Sequence, residues 1–272
     1  MPDSNSAPDF LHTTLGRTGW PVFRLGLAGT YRPGEAALRE GLDAGMNYVI
    51  WWWGDTQMTR ALREVLPRMR EKIVIATGRN FQSEWCLRRT LEDALRRLDT
   101  DYVDVFQIFW LGEGKLRPRT IELLQRFKDE GKIRAMGVST HQRRYAGELV
   151  RRGVLDVLMM RYNAAHRGAE QDIFPHLAAS NPGVVNHTAT RWTYLLRRQR
   201  GWPAEERVPT AGECYRFVLS NPHVHVCFTA PRSAEQLREN LAAVARGPLA
   251  PDEMDFMRRV GDFVHAHHKF FL

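Results

Sequence analysis

The sequence predicts an α/β fold, a (β/α)8 TIM barrel whose floor is closed by an N-terminal β-hairpin. Three observations predict it. Eight short apolar or β-branched runs recur along the 272 residues, at 22–27, 48–51, 73–77, 103–109, 135–139, 154–160, 184–187 and 224–228. A helix-period amphipathic segment follows each run, and strands that alternate with helices pair in parallel. The chain is long enough for eight such units, which close a barrel of about 250 residues.

The elements can be justified in order. Residues 11–23 turn at Gly16 to Gly19 and read as a hairpin that plugs the barrel floor. Over 83–98, Leu87, Leu91, Ala94, Leu95 and Leu98 fall on one helical face behind Ser83, a residue suited to the N-cap. Thr210 with Glu213 three positions on reads as a capping box for a helix ending near Leu219. Pro251, Asp252 and Glu253 give the last helix the proline and acids that a first turn favours. The connection 189–222 is irregular and carries an Arg/Trp/Pro-rich insert at 191–209. No shift of composition marks a boundary, so residues 1–272 read as a single barrel domain.

Composition narrows the classes of function. Hydrophobic residues make up 43% and charged residues 26%, a globular balance rather than a disordered one. Lys and Arg number 39 against 31 Asp and Glu, a net charge of +8. Most of that excess is arginine pairs such as Arg96 and Arg97 on helix-like stretches, which read as solvated faces, so no nucleic-acid partner is expected. No apolar run approaches the roughly 20 residues of a membrane span, and the start lacks a signal-peptide pattern. Cys86, Cys214 and Cys227 are odd in number and far apart, which suits a reducing compartment; a cytoplasmic protein without a metal site is expected. His265, His267 and His268 beside Lys269 read as a tail rather than a ligand set.

Chemistry on such a barrel belongs at the C-terminal strand ends. There the motifs become specific. Leu15-Gly16-Arg17-Thr18-Gly19 with Leu25-Gly26-Leu27, Gly45-Met46-Asn47-Tyr48, Asp101-Tyr102-Val103-Asp104, Gly137-Val138-Ser139, Tyr162-Asn163 and the run from Arg232 to Asn240 occur in that order. Together they resemble the aldo/keto reductases, over essentially residues 13–256. The resemblance implies NADPH-dependent carbonyl reduction, with an Asp, Tyr, Lys and His handling the proton. The corresponding positions hold Ile50, Trp53, Gly78 and Phe109.

Nearby substitutes are few. Asp55 follows Gly54 and reads first as a helix cap, Tyr31 is an outside candidate, and Arg79 is turned to the other face by strand alternation. The implied cofactor site is a mosaic. Ser139 is retained, whereas Thr140 and Met159 replace the carboxamide-binding Asn and Gln, and His187 stands where an aromatic ring would stack. Arg232, Ser233, Gln236 and Asn240 would hold the 2′-phosphate of NADP(H), and Glu239 would contact adenine.

Two further clusters belong to the mouth. Trp51, Trp52 and Trp53 lie near Phe109 and Trp110; alternation sends one or two of the three inward, to line the mouth or to fill it. Arg161, His166 and Arg167, with His187, Arg191 and His141, form a basic group suited to an anionic small molecule. The expectation is an aldo/keto reductase-like protein, a pseudoenzyme that binds NADP(H) without the family's tetrad. The alternative is an NADP-dependent oxidoreductase or other enzyme of altered chemistry, using Arg161, His187 and Arg191 on an anionic substrate. A third reading is residual reduction assisted by water or by the substrate.

Overall fold

The computed structural model describes residues 9–112 and 116–267. Strands β1 (His12–Thr14) and β2 (Pro21–Phe23) pair antiparallel, with Thr13 opposite Val22. Their turn is pressed on the start of the seventh barrel strand, where a Cβ at Gly183 would run into the side chain of Leu15. Leu15 is fully buried, so the hairpin closes the floor as expected.

Eight parallel strands form a closed barrel in which each lies beside its neighbour in sequence and the last beside the first. They are β3 (Leu25–Ala28), β4 (Tyr48–Ile50), β5 (Val74–Arg79), β6 (Val103–Ile108), β7 (Ile133–Thr140), β8 (Val157–Arg161), β9 (Gly183–His187) and β10 (Val226–Thr229). The apolar run 22–27 is split between the hairpin and the barrel. Arg24 sits at the break, and its guanidinium donates to the carbonyls of Leu219 and Val224 across the floor. Alternation sorts the rest. Tyr48, Ile50, Val74, Ala76 and Val105 fill the barrel interior, while Val49, Ile75, Phe106 and Ile108 face the helices.

The helices are α1 (Glu35–Asp43), α2 (Thr56–Met69), α3 (Glu84–Leu98), α4 (Pro118–Asp129), α5 (Arg143–Arg151), α6 (Ala169–Asp172), α7 (Ala211–Leu219), α8 (Ala234–Ala245) and α9 (Pro251–His267). Ser83 caps α3 by accepting from the Cys86 amide, and Thr210 with Glu213 completes the capping box of α7. Glu213 also holds Arg207, which ties the 191–209 insert to the barrel wall. His265 and His267 belong to α9 rather than to a tail, because the helix runs on through them; His268 and Lys269 lie outside the described residues. Cys86, Cys214 and Cys227 are free thiols, the last two buried. Among the described residues no helix is long and apolar enough to cross a membrane, and no cluster of metal-ligating side chains is found.

Candidate functional site

The C-terminal strand ends surround a cavity of about 520 Å³. The three consecutive tryptophans part company there. Trp51 points to the helix layer, where its indole Nε1 donates to Thr59 Oγ1 at 2.9 Å. Trp52 turns into the cavity and stacks with Phe109, at 4.5 Å between ring centroids, and with Trp110, at 5.9 Å, which lies 6.3 Å from Phe109. Trp53 is 60% exposed and does not line the cavity, although Gly54 and Asp55 after it do. Of the three, Trp52 alone lines the cavity.

Ile50 and Phe109 line the cavity, whereas Gly78 does not. A Cβ at Gly78 would fall on the backbone carbonyl oxygen of Gln107 in the neighbouring strand, so this position has no room for a side chain. Arg79 reaches over Phe81 and is not a lining residue. Asp55 caps α2, with Oδ1 accepting from the Met58 amide at 2.9 Å, and its carboxylate also lines the cavity. The other oxygen, Oδ2, is buried without a hydrogen bond, beside Gly29, where a Cβ would collide with it. Burial raises the carboxyl above its ordinary pKa, against the pull of the Met58 amide and of Arg32.

The expected basic group divides. His141 and His187 line the cavity with ring centroids 5.6 Å apart. Burial, then His141 and Arg161, pushes His187 down to about 3, and burial with Arg161 lowers His141. Arg161 and Arg191 are not among the lining residues. Arg191 is buried, with Nε donating to His166 Nε2 at 3.0 Å. It stands in a run of left-handed backbone, with φ of 63° at Thr188, 48° at Arg191, 54° at Trp192 and 69° at Thr193. That turn carries its side chain under the cavity rather than into it. Arg167 is engaged by Asp262 and the Ala164 carbonyl.

The residues around α8 are neatly organised. Ser233 Oγ caps the helix by accepting from the Gln236 amide, and Gln236 Oε1 accepts from the Arg232 amide at 2.9 Å. Arg232 is exposed, with its guanidinium 5.0 Å from the ring centre of Tyr31, itself a lining residue. Among the described residues it has no carboxylate partner. Asn240 Nδ2 donates to Thr229 Oγ1, which donates to the Tyr215 hydroxyl on the cavity wall. Glu239 is exposed. Ser139 and Met159 line the cavity; the Thr140 hydroxyl is committed to the Leu111 carbonyl. Tyr215 was not expected here, since a mid-helix residue carries no strand-end signal; Trp192 lines the cavity from the stretch 187–192 at the end of β9.

The family profile of the aldo/keto reductases matches residues 37–201. The chain belongs to the aldo/keto reductase family. It is 25% identical over 282 residues to L-galactose dehydrogenase of Arabidopsis thaliana, covering 85% of this chain and 86% of that one. It is 28% identical over 194 residues to the NADH-specific methylglyoxal reductase of Escherichia coli, 58% of this chain and 59% of that one. An aldo-keto reductase from Bacillus halodurans in its holo form superposes with a TM-score of 0.77 at 22% identity, over 92% of this chain and 95% of that one. That likeness shows the shared barrel. Against this aldo/keto reductase frame the wall is apolar at Ile50 and Phe109, two positions where the resemblance implied proton-handling groups.

Proposed function

We propose that this aldo/keto reductase binds NADP(H) along the C-terminal face of the barrel and lacks the proton relay of conventional carbonyl reduction. Phe109, packed on Trp52 in the cavity wall, is the observation that carries the second half of the reading. A phenyl ring neither donates nor accepts a proton, and its neighbour Ile50 is equally inert.

The fit to a dinucleotide differs between its two ends. At the start of α8, the exposed Arg232 guanidinium and the helix N-terminus capped by Ser233 suit a phosphate, with Glu239 beside them for adenine. Gln236 and Asn240 act there as positioning residues, one fixing the Arg232 backbone and the other tying α8 to β10. At the cavity end Ser139 remains to meet a carboxamide, and the half-buried neutral ring of His187 offers a flat face. Thr140 and Met159 add no donor there. The bound dinucleotide would supply a hydride. This chain contributes binding, orientation and exclusion of water, in the cytoplasm and as one barrel domain.

The alternative based on Arg161, His187 and Arg191 draws on only one residue of the cavity wall, His187. Turnover of an aldehyde panel with NADPH tests the main reading. A positioned general acid contributes about 10²–10⁴-fold, so rates lower than those of a family member with a complete tetrad by that factor are expected. Comparable rates would overturn it.

A further inference from the structure

The cavity joins two features that nucleotide binding leaves unused. One is the aromatic wall, in which Trp52, Phe109 and Trp110 form a triangle of rings with centroids 4.5, 5.9 and 6.3 Å apart. The other is Asp55, a carboxylate whose Oδ2 is buried and has no hydrogen-bond partner. Gly29 makes that placement possible, since any side chain there would displace the oxygen. The two features are covalently close: the Asp55 amide donates to the Trp52 carbonyl at 2.9 Å, so one turn presents both the indole and the carboxylate.

We infer that this cavity takes an organic cation, an alkylated ammonium or protonated amine on an apolar body, with its positive head at Asp55 and its body against Trp52, Phe109 and Trp110. Aromatic faces attract cations, most strongly where water is excluded. Asp55 lines a largely apolar cavity, where a carboxylate attracts an ammonium charge more strongly than it does in water. A neutral ligand would gain nothing from the carboxylate charge, and an anion would meet both the carboxylate and the negative ring faces.

The other titratable groups of the wall leave this assignment standing. His141 and His187 are both held neutral, chiefly by burial. Arg32 lines the cavity too, but it is exposed and makes no ion pair with Asp55. A cavity of about 520 Å³ is within the size range of small-molecule sites. Capping of α2 accounts for Oδ1 alone. The inference goes beyond the nucleotide proposal and does not depend on it.

Calorimetric titration of the full chain, without nucleotide, tests it with three probes that share a ring: benzyltrimethylammonium, benzyl alcohol and benzoate. The cation should bind at least about tenfold more tightly than either of the others. Asp55→Asn, whose amide oxygen can still accept from the Met58 amide, should weaken the cation by about tenfold and leave benzyl alcohol unchanged. Equal affinity for the alcohol, tighter binding of benzoate, no binding of the cation at millimolar concentration, or an Asp55→Asn protein that binds the cation like wild type would each overturn the inference. If the variant does not fold, the comparison of the three probes on the wild-type chain decides the matter alone.

Discussion

Trp52 lies stacked on Phe109, the ring centroids 4.5 Å apart and the planes 29° from parallel. Phe109 is 1% exposed, so this contact is both cavity wall and barrel core. Truncation to alanine removes the ring and leaves a void, and such changes cost about 3–5 kcal/mol. Phe109→Ala should therefore lower stability by that order, read from the urea midpoint, and should enlarge the cavity beside Trp52. A loss below about 1 kcal/mol would show that the wall is loosely packed.

Gly78 carries a second prediction. Its missing Cβ would fall on the Gln107 carbonyl oxygen in β6. Gly78→Ala should cost about 1–3 kcal/mol through overpacking, and Gly78→Lys at least as much. Restoring a lysine here should therefore yield a less stable protein and no gain in aldehyde turnover. An alanine variant as stable as wild type by urea denaturation would refute the steric account.

Stability should fall in acid. His225 Nδ1 accepts from the Val184 amide at 2.9 Å, and His166 Nε2 accepts from Arg191, so both rings are neutral in the folded chain. Burial, then Arg24, lowers His225 to about 4; burial, then Arg161 and Arg191, lowers His166 to about 3. Unfolded histidines titrate near 6.5, so below that pH the unfolded chain binds more protons. The contribution is complete above pH 6.5 and is lost as pH falls towards 4 for His225 and 3 for His166, by up to about 1.4 kcal/mol per unit for each ring. Urea midpoints between pH 7 and pH 5 should decline, and less steeply in His225→Gln. A flat wild-type profile would contradict the assignment.

The barrel was legible because its signal is local. The apolar, β-branched runs, the Ser83 cap and the Thr210–Glu213 box each depend on residues a few positions apart. The site was less so, because its geometry depends on neighbours distant in sequence. Asp55 reads as a helix cap from its position before α2, and it is one. The burial of its second oxygen depends on Gly29 at the end of a different strand. Arg191 follows β9 in sequence as expected, yet its left-handed backbone turns it onto His166. Of the tryptophans, alternation allowed one or two inside; the turn that begins at Trp53 leaves Trp52 alone. The run at 22–27 hid a change of sheet that Arg24 marks.

The nucleotide site can be tested directly by calorimetric titration of the wild-type and Arg232→Ala proteins with NADPH and with NADH. Arg232 is exposed at the start of α8 with no carboxylate partner among the described residues, so its guanidinium is available to a 2′-phosphate. The wild-type chain should bind NADPH at least about tenfold more tightly than NADH, and Arg232→Ala should abolish the difference while leaving NADH affinity unchanged. Equal affinity for the two nucleotides in the wild-type chain, or no binding of either, would contradict the proposal.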